Sequence, residues 1–263
     1  MLDAAKTDGT VGKALEILDQ VSMAGRPLRL SDLLATSPYP KATLYRLLQT
    51  LTSQGMLDYD PQSQTYRPGL RLVRLAHAAW RQSSLAPIAR PHIDALSAKI
   101  GETVHLAQLD NGQVLYIDKR NAKSPIEMYS QAGKIGPAYC TGVGKAMLAH
   151  LDSAALETVL QKQAFHAYTP HTLTSAEALR AELDEIRAAG VSFDREEHEP
   201  NIICIAAPIL TPAGRVIGGI SVTSSTQRHN LAELESIKPA LLQAATQIGQ
   251  DAADWHFPEQ GRD

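Results

Sequence analysis

The sequence has little sulfur to work with: two cysteines, Cys140 and Cys204, in 263 residues. That excludes a disulfide-stapled scaffold and suits a reducing compartment. Long apolar runs are missing as well. No window reaches the ~18 consecutive apolar residues that a membrane-spanning helix requires. The opening stretch MLDAAKTDGT has neither the basic n-region nor the apolar h-region of a secretory leader. Internal repeats and low-complexity tracts are absent too, which sets aside solenoids and arrays. These absences predict a cytoplasmic protein with no membrane association. What is present is ordinary globular usage, 44% hydrophobic and 20% charged, in a length that fits one large domain or two smaller ones.

The net charge of -3 hides an asymmetry. The first 90 residues carry 11 Lys/Arg against 7 Asp/Glu, and the remainder carry 14 against 21. A basic first third on an acidic remainder suggests an N-terminal module that meets a polyanion.

Apolar positions Val11, Ala14, Leu15, Leu18, Val21 and Ala24 recur at helical spacing, and Gly25-Arg26-Pro27 stops that helix. A second short helix is expected from an N-cap at Ser31, and Thr36-Ser37-Pro38-Tyr39-Pro40 breaks it. A third is predicted over 41–54, with Leu44, Leu47, Leu48 and Leu51 buried. Strand-like runs at 56–59 and 65–67 then flank the turn Asp60-Pro61-Gln62-Ser63. Three short helices and a hairpin are the layout of a winged helix-turn-helix, predicted over residues 1–68. An amphipathic helix over 69–82, within a linker segment 69–84, reads as a dimer contact with Trp80 as its anchor.

Past Ser83-Ser84 the pattern changes. A helix at 87–100 precedes strands at 103–109 and 113–118, joined by the hairpin signal Asp110-Asn111-Gly112, with a third strand expected at 126–130. Helices follow at 142–150, 153–162 and 175–189, strands at 202–209 and 215–223, and a last helix at 230–250. The expected fold class is α+β, with an antiparallel sheet in a second domain over 85–250 and a loose tail over 251–263.

With its leucines inward, the third helix turns Lys41, Ala42, Thr43, Tyr45, Arg46 and Gln49 outward. Arg and Lys can reach guanine acceptors or phosphates, and Ala or Thr methyls can touch thymine. Arg67 of the hairpin joins this candidate DNA-binding set. A solvated face on a small bundle is the plainer alternative for the helix taken alone.

At this point the chain resembles the IclR family of bacterial transcriptional regulators, over 11–82 and 85–250. The first part rests on Val11-Gly12-Lys13-Ala14-Leu15 and on the run from Lys41-Ala42-Thr43-Leu44-Tyr45-Arg46 to Gly55. The second rests on Gly190, Asp194, Glu197, Cys204, Ile205 and Ala206, which fit the family signature. Leu210 and Thr211 depart from it, standing where an aromatic residue and then Asp or Asn are usual.

The resemblance implies a winged helix-turn-helix joined by a helix to a GAF-like effector-binding domain. It also implies a homodimer or homotetramer on a pseudo-palindromic double-stranded DNA operator. The effector it implies is a small organic acid held at Gly142 and Val143, where first-turn N–H groups welcome a carboxylate. Asp194, Cys204, Ser221 and Thr223 would lie across the pocket, with Met128 and Ile202 as apolar walls. No metal, cofactor or catalytic residue is implied.

Plainer readings of single residues stand beside these. Asp194 could belong to a solvated acidic loop, Cys204 could be a small buried hydrophobe, and Ser221 and Thr223 could serve neighbouring backbone. Gly142-Val143-Gly144-Lys145 looks like half a phosphate loop, but the earlier glycine is missing and Ala146 follows the lysine. The stretches Gly101-Glu102-Thr103-Val104-His105-Leu106, Met128-Tyr129-Ser130 and Leu173-Thr174-Ser175-Ala176-Glu177-Ala178-Leu179 resemble the branch governing sugar-acid catabolism, to which a 2-keto-3-deoxygluconate repressor belongs. That branch implies repression relieved by a keto sugar acid, with glyoxylate-like and aromatic acids as alternatives. The rival of another class is a metabolite-binding or enzymatic α+β domain with a protein-docking N-terminal module.

Overall fold

The computed structural model describes residues 9–253, and the chain divides into two compact units between Gln82 and Ser83. The first opens with α1 (Gly9–Met23), a two-residue strand β1 (Leu28–Arg29), α2 (Leu30–Thr36) and α3 (Lys41–Ser53). The hairpin β2 (Leu57–Asp60) and β3 (Thr65–Pro68) follows, then α4 (Leu70–Ser83). Periodicity explains the packing. Ile17, Leu18 and Val21 of α1 meet Leu33 of α2 and the α3 stripe Leu44, Leu47, Leu48 and Leu51 in one buried cluster. Leu57 and Tyr66 close it from the hairpin.

Two sequence expectations change here. Ser31 does not cap α2: the cap falls two residues earlier, at Arg29, and the Asp32 carboxylate accepts the Arg29 N–H at 3.1 Å. The hairpin is also not alone, because β1 pairs with β3 and makes a three-stranded antiparallel sheet in the order β1-β3-β2.

The second unit begins with α5 (Ala86–Ile100), β4 (Thr103–Asp110), β5 (Gln113–Arg120) and β6 (Ile135–Pro137). Next come α6 (Gly142–Leu148), α7 (Ser153–Lys162), α8 (Ala176–Ala189), β7 (Ser192–Arg195), β8 (Ile202–Leu210) and β9 (Val216–Ser225). The unit ends with α9 (Leu231–Glu235) and α10 (Lys238–Asp251). Its six strands form one antiparallel sheet in the order β6-β5-β4-β9-β8-β7. α6 packs on β8 and β9 with α8 behind it, while α5 and α10 pack together against β4 and β8.

The strand expected at 126–130 does not form. Its alternation is real, since Met128 and Ser130 are buried, but the Tyr129 N–H is taken by the Glu199 carboxylate at 3.0 Å. The sheet edge goes instead to Ile135–Pro137, which pairs with 113–115. The last helix is broken into α9 and α10, with Pro239 in the first turn of α10, where its missing N–H costs nothing. Of the expected tail, α10 takes Asp251, and residues beyond 253 lie outside the described residues.

Candidate functional site

In the first unit the buried leucine stripe fixes which way α3 faces. Lys41, Ala42, Tyr45, Arg46 and Gln49 are exposed, and Thr43 is half-buried at the edge. Arg67 is not freely presented, because across the hairpin its guanidinium grips Asp58 at 2.9 and 2.6 Å. Arg71 donates to the Gln54 carbonyl at 2.9 Å, placing a cation at the C-terminal end of α3.

In the second unit the register of the sheet assembles a pocket. Asp194 lies opposite Cys204, Cys204 opposite Thr223, and Thr223 opposite Thr103. One step along the same face, Ser221 lies opposite His105. Residues two apart on a strand share a face, so strands distant in sequence present one polar surface to the N-terminal turn of α6. Between them lies a small cavity of about 30 Å³. Gly142, Val143, Asp194, Ile202, Cys204, Ser221 and Thr223 all line it. Met128 does not; it is buried nearby without facing the cavity.

Sequence reasoning missed His105, Tyr116, Ser130, Thr141, His198 and Glu199 in the same lining. Only the strand register, with Ser221 facing His105, could have drawn His105 in.

The electrostatics are unusual for an acid-binding site. Neither Lys nor Arg lines the cavity, while Asp194 and Glu199 do. Burial, reinforced by the charge of Glu197, pushes the Asp194 carboxyl up to about 7, although its Oδ1 accepts the Glu197 N–H at 2.8 Å. Burial, helped by Lys119, pushes His105 down to about 3, so its ring is neutral and bridges Ser130 Oγ at 2.9 Å and Thr223 Oγ1 at 3.3 Å. Burial raises the thiols of Cys140 and Cys204, which keeps both protonated and poor nucleophiles.

Lys145 turns away from the cavity. It is fully buried and bonded to Glu197 and, at 3.0 Å, to Glu182. Burial pushes the Glu197 carboxyl up against the pull of Lys145. Burial also opposes ionisation of Glu182, but Lys145 and Arg195 outweigh it and hold that carboxyl down.

The two glycines of Gly142-Val143-Gly144 serve packing. A Cβ on Gly142 would come within 2.5 Å of Cys204 Sγ, and one on Gly144 within 2.6 Å of Thr141 Oγ1. Gly142→Ala is therefore expected to overpack the site and cost about 1–3 kcal/mol. Adding Cys204→Ala, which deletes the colliding sulfur, should recover part of the loss. Thermal unfolding of the single and double variants checks this, and an unchanged melting temperature for Gly142→Ala would contradict the close approach.

A winged helix-turn-helix with an outward basic helix, followed by a sheet domain enclosing a polar pocket, defines a DNA-binding transcriptional regulator. Residues 10–61 match the IclR helix-turn-helix domain, and residues 77–250 match the bacterial transcriptional regulator IclR C-terminal domain. The chain belongs to the IclR family.

Among its relatives is the HTH-type transcriptional regulator XynR of Escherichia coli (strain K12), 33% identical over 241 residues, 92% of this chain and 96% of XynR. The HTH-type transcriptional regulator KdgR of the same organism is 31% identical over 258 residues, 97% of this chain and 98% of KdgR. The crystal structure of the Thermotoga maritima IclR superposes with a TM-score of 0.76 at 27% identity, over 93% of this chain and 98% of that one. The relatives are regulators, and so is this chain; it is not an enzyme. Near-equal identity to XynR and KdgR leaves the branch unselected by similarity. Among the described residues no helix is long and apolar enough to cross a membrane.

Proposed function

We propose that the protein is a cytoplasmic repressor of a catabolic operon, released from its operator by a monocarboxylic sugar acid. The observation that carries this reading is the composition of the cavity. At one end stand the first-turn N–H groups of α6, which have no partners within the helix and suit a carboxylate. Around the rest stand Ser130, Thr141, Ser221, Thr223, Asp194 and Glu199, a set of hydroxyls and carboxyls that suits the hydroxyl groups of a sugar acid. With neither Lys nor Arg in the lining, a second carboxylate on the ligand would find no cation. Ile202 supplies the apolar wall, without Met128.

In this reading Lys41, Ala42, Thr43, Tyr45, Arg46 and Gln49 meet the major groove, and Arg67 reaches phosphate by exchanging Asp58 for it. The domain limits follow the same logic, with residues 1–68 on DNA, 69–84 as linker and 85–250 as effector domain. A second copy of the chain would cover the apolar surface on α4, where Leu70 is 85% and Val73 54% exposed, with half-buried Trp80 at the contact. Two copies then place two α3 helices on the half-sites of a pseudo-palindrome. The effector favours one arrangement of the pair and DNA the other.

The test is calorimetric titration of the full chain with 2-keto-3-deoxygluconate, pyruvate, glyoxylate and 4-hydroxybenzoate. Saturable binding is expected for the sugar acid, and tighter than for the others. Binding of 4-hydroxybenzoate alone would replace the sugar-acid effector with an aromatic one.

A further inference from the structure

The cavity opens outward, and its lining leads to a row of rings at the surface. His198 lines the cavity, and its imidazole lies 5.3 Å from the Tyr129 ring, edge-on, and 4.8 Å from the Tyr168 ring. Beyond Tyr168 the His166 ring follows at 4.9 Å, and the Lys134 ammonium sits 4.6 Å from the Tyr129 centroid. Tyr129 is 39% and Tyr168 46% exposed, large apolar faces that the fold does not bury.

These rings come from three segments: the turn from Asp194 to Glu199, which carries His198, and two others tied to that turn. Glu199 accepts the Tyr129 N–H, Thr169 Oγ1 donates to the Glu196 carbonyl at 2.7 Å, and Thr172 Oγ1 donates to the Glu197 carbonyl at 2.6 Å. Tyr129 Oη donates to the Ile135 carbonyl at 2.9 Å, which fixes its ring. The row is thus held in place by hydrogen bonds.

We propose that Tyr129, His198 and Tyr168 form an outer subsite that reads the tail of the effector, a polyhydroxylated chain beyond the carboxyl end. The inference rests on the effector reading above. The cavity takes the carboxyl end and the hydroxyls nearest to it, among Ser221, Thr223 and Asp194. The rest of a longer acid passes His198 and lies against the tyrosines. Its C–H faces stack on the rings, as sugars do on aromatic side chains, while Glu199, His198 and Lys134 supply hydrogen-bonding edges for the hydroxyls. Such a division makes the inner cavity select for a hydroxylated acid and the outer rings select for its length.

The experiment compares a three-carbon and a six-carbon acid on the full chain. Pyruvate and 2-keto-3-deoxygluconate are titrated calorimetrically into the wild type, Tyr168→Ala, Tyr129→Ala, Tyr168→Phe and Tyr129→Phe. The alanine variants should bind the six-carbon acid about tenfold more weakly, or ~1.4 kcal/mol, and pyruvate within about twofold of wild type. Tyr168→Phe should keep the six-carbon affinity, because the ring face does the reading, and Tyr129→Phe, which loses its bond to the Ile135 carbonyl, should fall between wild type and Tyr129→Ala. Equal weakening of both acids, or no change for either, would overturn the subsite. A preference for 4-hydroxybenzoate that Tyr168→Ala removes would overturn the polyhydroxylated tail in favour of a ring. If wild type binds none of these acids, the effector reading itself falls and takes the subsite with it.

Discussion

Arg46→Ala is expected to weaken operator binding by about 1–3 kcal/mol, roughly 5- to 150-fold, while acid binding in the second unit persists. Arg46 precedes the buried pair Leu47 and Leu48 on α3, so packing of the leucines on α1 and α2 holds its Cα direction outward. Among the described residues no ion pair engages it, whereas Arg67 is held by Asp58. Arg67→Ala is accordingly expected to have the smaller effect, since that side chain must first leave its partner. Fluorescence anisotropy on a labelled operator measures both. In wild type the affinity should also fall steeply with salt, because phosphate contacts release counterions. Unchanged affinity for Arg46→Ala, or a flat salt series, would contradict the assignment of α3.

The second large effect is a pH dependence centred on Asp194. Its carboxyl is pushed up to about 7 from 3.8, first by burial and then by Glu197. The charged and titratable groups around it are Glu197, His198 and Glu199 on its own turn, Lys145 from α6, His105 from β4, Tyr116 from β5, and the thiols of Cys204 and Cys140. Between pH 4 and 7 the unfolded chain loses this proton and the native chain keeps it. Asp194 therefore costs native stability progressively as pH rises through that window, and the cost levels off above pH 7.

Effector binding follows the same sign. Below pH 7 a neutral Asp194 can donate a hydrogen bond to the acid; above it, two like charges would share the cavity. The dissociation constant should rise up to about tenfold per pH unit above 7. Asp194→Asn, which stays neutral, should bind with little pH dependence. Calorimetry from pH 6 to 8.5 reads both, and a wild-type affinity that does not change over that range would contradict this role for Asp194.

Much of the fold was legible because the core is periodic. Leu44, Leu47, Leu48 and Leu51 mark α3, and Asp110-Asn111-Gly112 marks the β4–β5 hairpin, with Asn111 and Gly112 both at positive φ as such a tight turn requires. What escaped depended on partners far away in the chain. β1 is two residues long and has no period of its own; it exists because Leu28 and Arg29 pair with Tyr66 and Thr65. β7 is four residues and is fixed by β8 alone. The segment 126–130 alternates like a strand, yet a carboxylate 70 residues on takes the Tyr129 N–H and the edge is filled by Ile135–Pro137.

The pocket divides in the same way. The positions that a motif could carry, from Gly142 to Thr223, line one cavity, Met128 apart. His105 and Glu199 carry no local signature, and enter the cavity through sheet register and through the turn after β7.

The most direct measurement is fluorescence anisotropy of the purified protein on DNA from upstream of its own gene, titrated with 2-keto-3-deoxygluconate and the other small acids. The account predicts tight, salt-sensitive binding that the sugar acid relieves and that Asp194→Ala makes less responsive. Tight binding indifferent to every acid would contradict the effector pocket, and the absence of specific, salt-sensitive binding would contradict the operator-binding role of α3.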